Sequence, residues 1–133
     1  MRTVFADSFY YFALLNERDP AHKTATAFVR TFRGWMVTTG WVLTELGDGL
    51  AKPANRAAFL LVLDTVRAEQ NTTVVACSDE VLDAGIDLYR QRLDKYWSLT
   101  DCISFVVMRR EGITEALTGD RHFEQAGFVA LLK

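Results

Sequence analysis

The sequence predicts an α/β fold, with a parallel sheet covered by helices on both faces. Three observations carry this. Short apolar or β-branched runs alternate with longer stretches of helical apolar spacing along the whole chain. Their order is strand, helices, strand, helices, strand, helix, helix, strand, helix, strand, the pattern of crossover-connected parallel strands. Half of the 133 residues are hydrophobic, enough to fill the core that such a sheet encloses.

The elements follow in order. RTVFA at 2–6 is the first strand. SFYYFALLNERD has helical spacing and stops at Asp19-Pro20, since proline cannot continue a helix. Residues 21–33 form an amphipathic helix with Ala25, Phe28, Val29 and Phe32 on one face, and Gly34 is its expected C-cap. WMVTT at 35–39 is a second strand. Thr39 is placed to N-cap the helix GWVLTELGDGLAK, in which Gly47 and Gly49 each cost about 1 kcal/mol relative to alanine. Pro53 marks a break before a helix over 55–69. TTVVA at 72–76 is β-branched and reads as a strand, and Ser78 caps a helix running to about Gln91. RLDKYWS is a loop, 99–111 a helix ended by Gly112, EALTGD a strand running into an acid, RHFEQAG a short helix and FVALL a last strand.

Composition excludes several classes. One domain over 1–133 is expected from the length. No apolar run reaches the roughly 18 residues of a membrane span. The N-terminus has an acid inside its apolar stretch and no small-residue cleavage pattern, so a signal peptide is rejected and a cytoplasmic location expected. Cys77 and Cys102 are far apart, form no CxxC, and are read as free thiols. A net charge of −2 argues against broad, charge-driven nucleic-acid binding.

Ligands of such sheets sit beyond the carboxyl ends of the strands, which draws attention to four acids. Asp7 follows the first strand and Asp120 the fourth. Glu45 lies in a nearly apolar helix after the second strand, and Asp101 heads the apolar run CISFVVM. Each has a plain alternative. Asp7 could cap the next helix, and Asp120 could be a turn acid after Gly119. Glu45 could snorkel or pair. Asp101 could close a capping box, since Ser98-Leu99-Thr100-Asp101 fits the pattern. Convergence would need compensation. Two carboxylates about 6 Å apart at an effective dielectric of about 20 repel by about 2.8 kcal/mol. Four such groups reach on the order of 15 kcal/mol, comparable with the stability of a whole domain. Protonation or a cation must relieve that repulsion, and oxygen-only ligands favour Mg²⁺ or Mn²⁺.

VFADSFYYFALL, TTGWVLTELGDGL, DKYWSLTDCISFVVM and ALTGDRHFEQAGF, with one of the four acids each, resemble the conserved pieces of PIN-domain nucleases, of the sort found as VapC-like toxins of bacterial toxin–antitoxin pairs. The similarity runs through essentially the whole chain. It implies a three-layer α/β/α sandwich and a Mg²⁺- or Mn²⁺-dependent endoribonuclease whose ligands are Asp7, Glu45, Asp101 and Asp120. It further implies an RNA substrate, products with 5′-phosphate and 3′-hydroxyl ends, an antitoxin that covers the site, and a homodimer. Ser8, Thr100 and Thr118 sit beside the acids and are candidates to orient ligands or water, or else caps and strand-end hydroxyls. Asp48 and Asp94 are read as solvated acids, with a site role the lesser alternative for Asp48; His22 is read as structural, and His122 could be a general base but is read as packing in the short helix. FYYF at 9–12 could stack on bases, but its spacing favours core or dimer packing, and Tyr10, Tyr11 and 28–35 are candidates for dimer contact. Lys52, Arg56, Arg90, Arg92, Lys95, Arg109 and Arg110 are candidates to guide RNA.

Rival chemistries fit less well. There is no DxD after the first strand, no acid ending the third, and no GxGxxG or P-loop. The alternative functions are a non-catalytic binding module of the same fold, and an RNA-processing nuclease outside toxin–antitoxin systems.

Overall fold

A computed structural model describes residues 1–133. β1 (Thr3–Ala6) leads into α1 (Ser8–Leu15) and α2 (His22–Thr31), and β2 (Trp35–Thr39) into α3 (Gly40–Gly49) and α4 (Pro53–Ala68). β3 (Thr72–Val75) precedes α5 (Asp79–Gln91) and α6 (Leu99–Glu111). β4 (Glu115–Leu117), α7 (Arg121–Gln125) and β5 (Val129–Ala130) follow. All strand pairs are parallel, in the order β3-β2-β1-β4-β5, so the expected α/β/α sandwich forms. From β1 the chain steps outward to β3, then crosses back to β4 and β5. Right-handed crossovers therefore put the helices of the two halves on opposite faces. The order reverses between β1 and β4, and such a switch point opens a crevice at the carboxyl ends. Ala6 is level with Leu117 across that pair, so the residues after both strands leave the sheet at one height.

Most elements form where sequence placed them, for the reasons given there. Thr39 Oγ1 accepts from the Val42 N–H at 3.1 Å. Ser78 Oγ caps α5 through the Val81 N–H. Gly112 ends α6 in the left-handed region at φ 68°. Two expectations are corrected. α1 stops at Leu15, four residues short of Asp19. Asn16 Oδ1 accepts from the Arg18 N–H at 3.0 Å and Asp19 Oδ1 from the Ala21 N–H at 2.9 Å, so these side chains hold a turn in place of another helical turn. Gly34 is not a C-cap; Phe32, in extended backbone, takes that place. A Cβ on Gly34 would lie 2.0 Å from the Arg2 carbonyl oxygen, so glycine there admits β1 beside β2.

Gly47 and Gly49 have a packing reason that outweighs their helix penalty. Built Cβ atoms would lie 3.0 Å from the Phe59 ring and 2.4 Å from the Phe12 ring. Tyr10 and Tyr11 are 2% and 4% exposed, which removes them as base-stacking or dimer-contact residues. Beneath the carboxyl ends of β1 and β4 runs a line of aromatic contacts. Phe5 meets Phe123 (ring centroids 6.4 Å), Phe123 meets Phe105 edge-on (4.9 Å), and Phe105 meets Trp97 edge-on (5.1 Å). These rings belong to β1, α7, α6 and the loop before α6, so three of the acid-bearing segments are locked to one another from below.

Candidate metal centre

Asp7 is the first residue past β1 and stands at the N-cap position of α1, but its side chain makes no capping hydrogen bond. Its Oδ2 instead accepts from the Thr118 hydroxyl at 2.9 Å, across the switch point. The Thr118 oxygen also accepts from the Asp120 N–H at 3.1 Å. One hydroxyl thus ties the acid after β1 to the acid after β4. Asp120 caps α7, its Oδ1 accepting from the His122 N–H at 2.9 Å. Asp101 closes the capping box in full: its Oδ2 accepts from the Ser98 N–H at 3.1 Å, while its own N–H donates to Ser98 Oγ at 3.0 Å. Glu45 projects from the second turn of α3 and accepts a short hydrogen bond from Ser8 Oγ.

All four acids line one cleft of about 360 Å³, with Ser8, Phe9, Phe12, Tyr96, Ser98 and His122. No lysine or arginine lines it. Asp101, Asp120 and His122 form the tightest group, each offering an atom within 4.8 Å of the others. Asp7 lies deepest, 5% exposed, and Glu45 closes the side toward α3. Ser8 and Thr118 each donate a hydrogen bond to one of the acids, Glu45 and Asp7 respectively. Thr100 makes no hydrogen bond to any of the four. Asp48 and Asp94 stay outside the cleft, and Asp94 pairs with Arg92 at 3.0 Å.

His122, read from sequence as structural, joins the site. Its Nδ1 lies 3.1 Å from Asp101 Oδ2 and 3.4 Å from Asp120 Oδ1. The only local signal was its place two residues after Asp120; its other partner is 21 residues away in sequence.

The electrostatics are those of an under-compensated acidic site. The Asp7 carboxyl is pushed up to about 7. Burial is the main cause, the Thr118 hydrogen bond opposes it, and the charges of Asp101 and Glu45 add to it. Asp101 is also raised by burial and by Asp120, against the Ser98 N–H and His122. The donor set fits a hard divalent cation: several carboxylate oxygens, one of them too buried to ionise freely, and no lysine or arginine among the lining residues.

The family profile described as "PIN domain" matches residues 4–129. The chain is 28% identical over 130 residues to the 23S rRNA-specific endonuclease VapC20 of Mycobacterium tuberculosis, covering 95% of each. The crystal structure of that Mycobacterium tuberculosis protein, titled a Sarcin-Ricin loop cleaving toxin, superposes with a TM-score of 0.85 at 25% identity, over 95% of this chain and 96% of that one. The fold is also that of a toxin–antitoxin complex chain from Klebsiella pneumoniae (TM-score 0.69, 14% identity, 96% and 97% covered). FitAcB from Neisseria gonorrhoeae gives a TM-score of 0.66 at 12% identity, with 96% and 94% covered.

Proposed function

The chain belongs to the PIN-domain family, and from that premise we propose that it is a divalent-metal-dependent endoribonuclease, the toxin of a VapC-type toxin–antitoxin pair. The observation that carries the reading is the convergence of four acids from four segments in one cleft without a lysine or arginine. The 23S rRNA endonuclease relative supports RNA as substrate, and the toxin–antitoxin neighbours support a cognate antitoxin. A homodimer is part of the same proposal, by way of the family resemblance.

Asp7, Glu45, Asp101 and Asp120 would hold Mg²⁺ or Mn²⁺. A bound ion of this kind supplies charge neutralisation and Lewis-acid polarisation of a phosphodiester. The protein's part is positioning. Thr118 fixes one oxygen of Asp7, Ser8 fixes Glu45, and the Ser98 N–H fixes Asp101. His122 bridges Asp101 and Asp120 and holds both on one side of the cleft. Phe9 and Phe12 wall the cleft with apolar surface, which limits water beside the acids.

Two measurements test this. RNA cleavage with Mg²⁺ or Mn²⁺ should stop in EDTA and fall by at least about 100-fold in Asp7→Asn and Asp101→Asn, the scale of a lost charge-stabilising group. Thermal unfolding should shift upward by several degrees in about 10 mM Mn²⁺ if Kd is about 1 mM, a linkage of about 1.4 kcal/mol. The shift should collapse in Asp101→Asn. Undiminished cleavage in both variants, or an equal Mn²⁺ shift in wild type and Asp101→Asn, contradicts the reading.

A further inference from the structure

The acid cleft does not end at the acids. Tyr96 and Ser98 are shared with a second recess of about 550 Å³, lined also by Ile86, Tyr89, Lys95, Trp97 and Leu99 at the seam of α5 and α6. Tyr96 stands at the junction with 88% of its surface in water, and Tyr89 is also exposed. A tyrosine so exposed contributes nothing to the core. Trp97, which also lines the recess, is held by its Nε1–H donating to Gln125 Oε1 at 3.0 Å, and by the edge-on contact with Phe105. Trp97 is therefore fixed in the recess, while the Tyr96 ring beside it in sequence stands in water.

The charges on this rim are of the sign the cleft lacks. Lys95 lines the recess and makes no ion pair, its ammonium lying 5.9 Å over the Trp97 ring. Arg92 is engaged by Asp94 and also lies over Trp97, at 5.2 Å. A phosphodiester at the acids has a neighbouring nucleotide on either side, and each must rest on surface bordering the cleft. The wall of Glu45, Phe9 and Phe12 offers one acid and two partly buried rings. The Tyr96 side offers an open ring face and an ammonium that makes no ion pair.

We propose that the recess from Tyr96 to Lys95 seats the nucleotide next to the scissile phosphate of a single-stranded RNA, its base stacked on Tyr96 and its outer phosphate on Lys95. This rests on the nuclease reading above. It assigns substrate positioning to two residues outside the acid set, and shifts the stacking role that sequence offered to residues 9–12 onto a loop tyrosine. Recognition is by stacking and backbone charge, hence tolerant of base identity at this position.

The test uses a labelled single-stranded RNA oligonucleotide of mixed sequence, with Mg²⁺. Affinity is read in an Asp101→Asn background, where turnover is suppressed, and kcat and KM on the otherwise wild-type protein. Tyr96→Ala should weaken binding about 5- to 150-fold, the value of one base stacked on an aromatic ring. The loss should appear in KM, and Tyr96→Phe, which keeps the ring, should restore it. Lys95→Ala should flatten the dependence of log affinity on log salt by about one contact. The Mn²⁺ thermal shift of the wild-type metal site should be unchanged by both substitutions, which separates failure here from failure of the nuclease reading. Wild-type RNA affinity in Tyr96→Ala overturns the proposal. So does a Tyr96→Ala defect that tracks conversion of dimer to monomer in sedimentation, since the recess would then be covered by a second copy.

Discussion

Asp7 carries the most tension of any residue here. Its carboxyl is pushed from an ordinary value of 3.8 to about 7 chiefly by burial. A raised acid contributes to stability below its unfolded pKa, and that contribution is lost as pH rises through the folded value. In EDTA, therefore, stability should fall between about pH 4 and pH 7, by up to about 4 kcal/mol from this group alone. Asp7→Asn should flatten that part of the profile, as followed by denaturant unfolding at several pH values. An identical slope in wild type and variant would mean that Asp7 is not the source. Divalent metal should oppose this loss, because it favours the ionised form. At this scale the sequence was informative about Asp7, Asp101 and Asp120, each of which heads or follows a recognisable element, and about Glu45, an acid inside a nearly apolar helix. It read His122 as structural, because the contact with Asp101 exists only after α6 and α7 pack. It also left Asp101 open between cap and site; in the fold its carboxylate closes the capping box and lines the cleft.

Among the elements, α6 is the one on which the site depends most, since it carries Asp101 at its third position and packs along α5. That packing is close at Gly85, where a Cβ would lie 2.4 Å from Ile103 Cγ1 and 3.3 Å from Ile103 Cα. Alanine gains about 1 kcal/mol in helix propensity but forces Ile103, two residues from Asp101, to move. Overpacking of this kind costs about 1–3 kcal/mol, so Gly85→Ala should lower Tm by a few degrees and weaken the Mn²⁺ shift as Asp101 is displaced. An unchanged Tm and Mn²⁺ shift would show that α6 yields without strain. Element types were legible because apolar period and capping residues agree at Thr39, Ser78, Ser98 and Gly112. Gly34 misled, because a glycine after a helix reads as a C-cap, whereas here its lack of a side chain serves a strand neighbour 32 residues earlier.

For the whole molecule, alternation along the chain was enough to predict a parallel sheet, but not the order β3-β2-β1-β4-β5. That order arises from which faces pack together, a property no local window holds. It places the first strand of the chain at the centre and brings Asp7 to Thr118 across 111 positions. Pairings so distant in sequence close late, because the intervening loop must lose its freedom first. In refolding experiments Mn²⁺ uptake should accordingly develop in the slowest phase, with β1–β4 pairing; uptake in the earliest phase would contradict this.

The Thr118 bridge therefore acts on time as well as on geometry. On a growing polypeptide Asp7 is made 111 residues before Thr118, one of the groups that complete its surroundings. Until Thr118 and Asp120 have been added, the nascent chain has a β1 that can pair with β2 and no centre able to hold an ion. For a protein whose finished form would cut RNA, the order of synthesis itself withholds the blade.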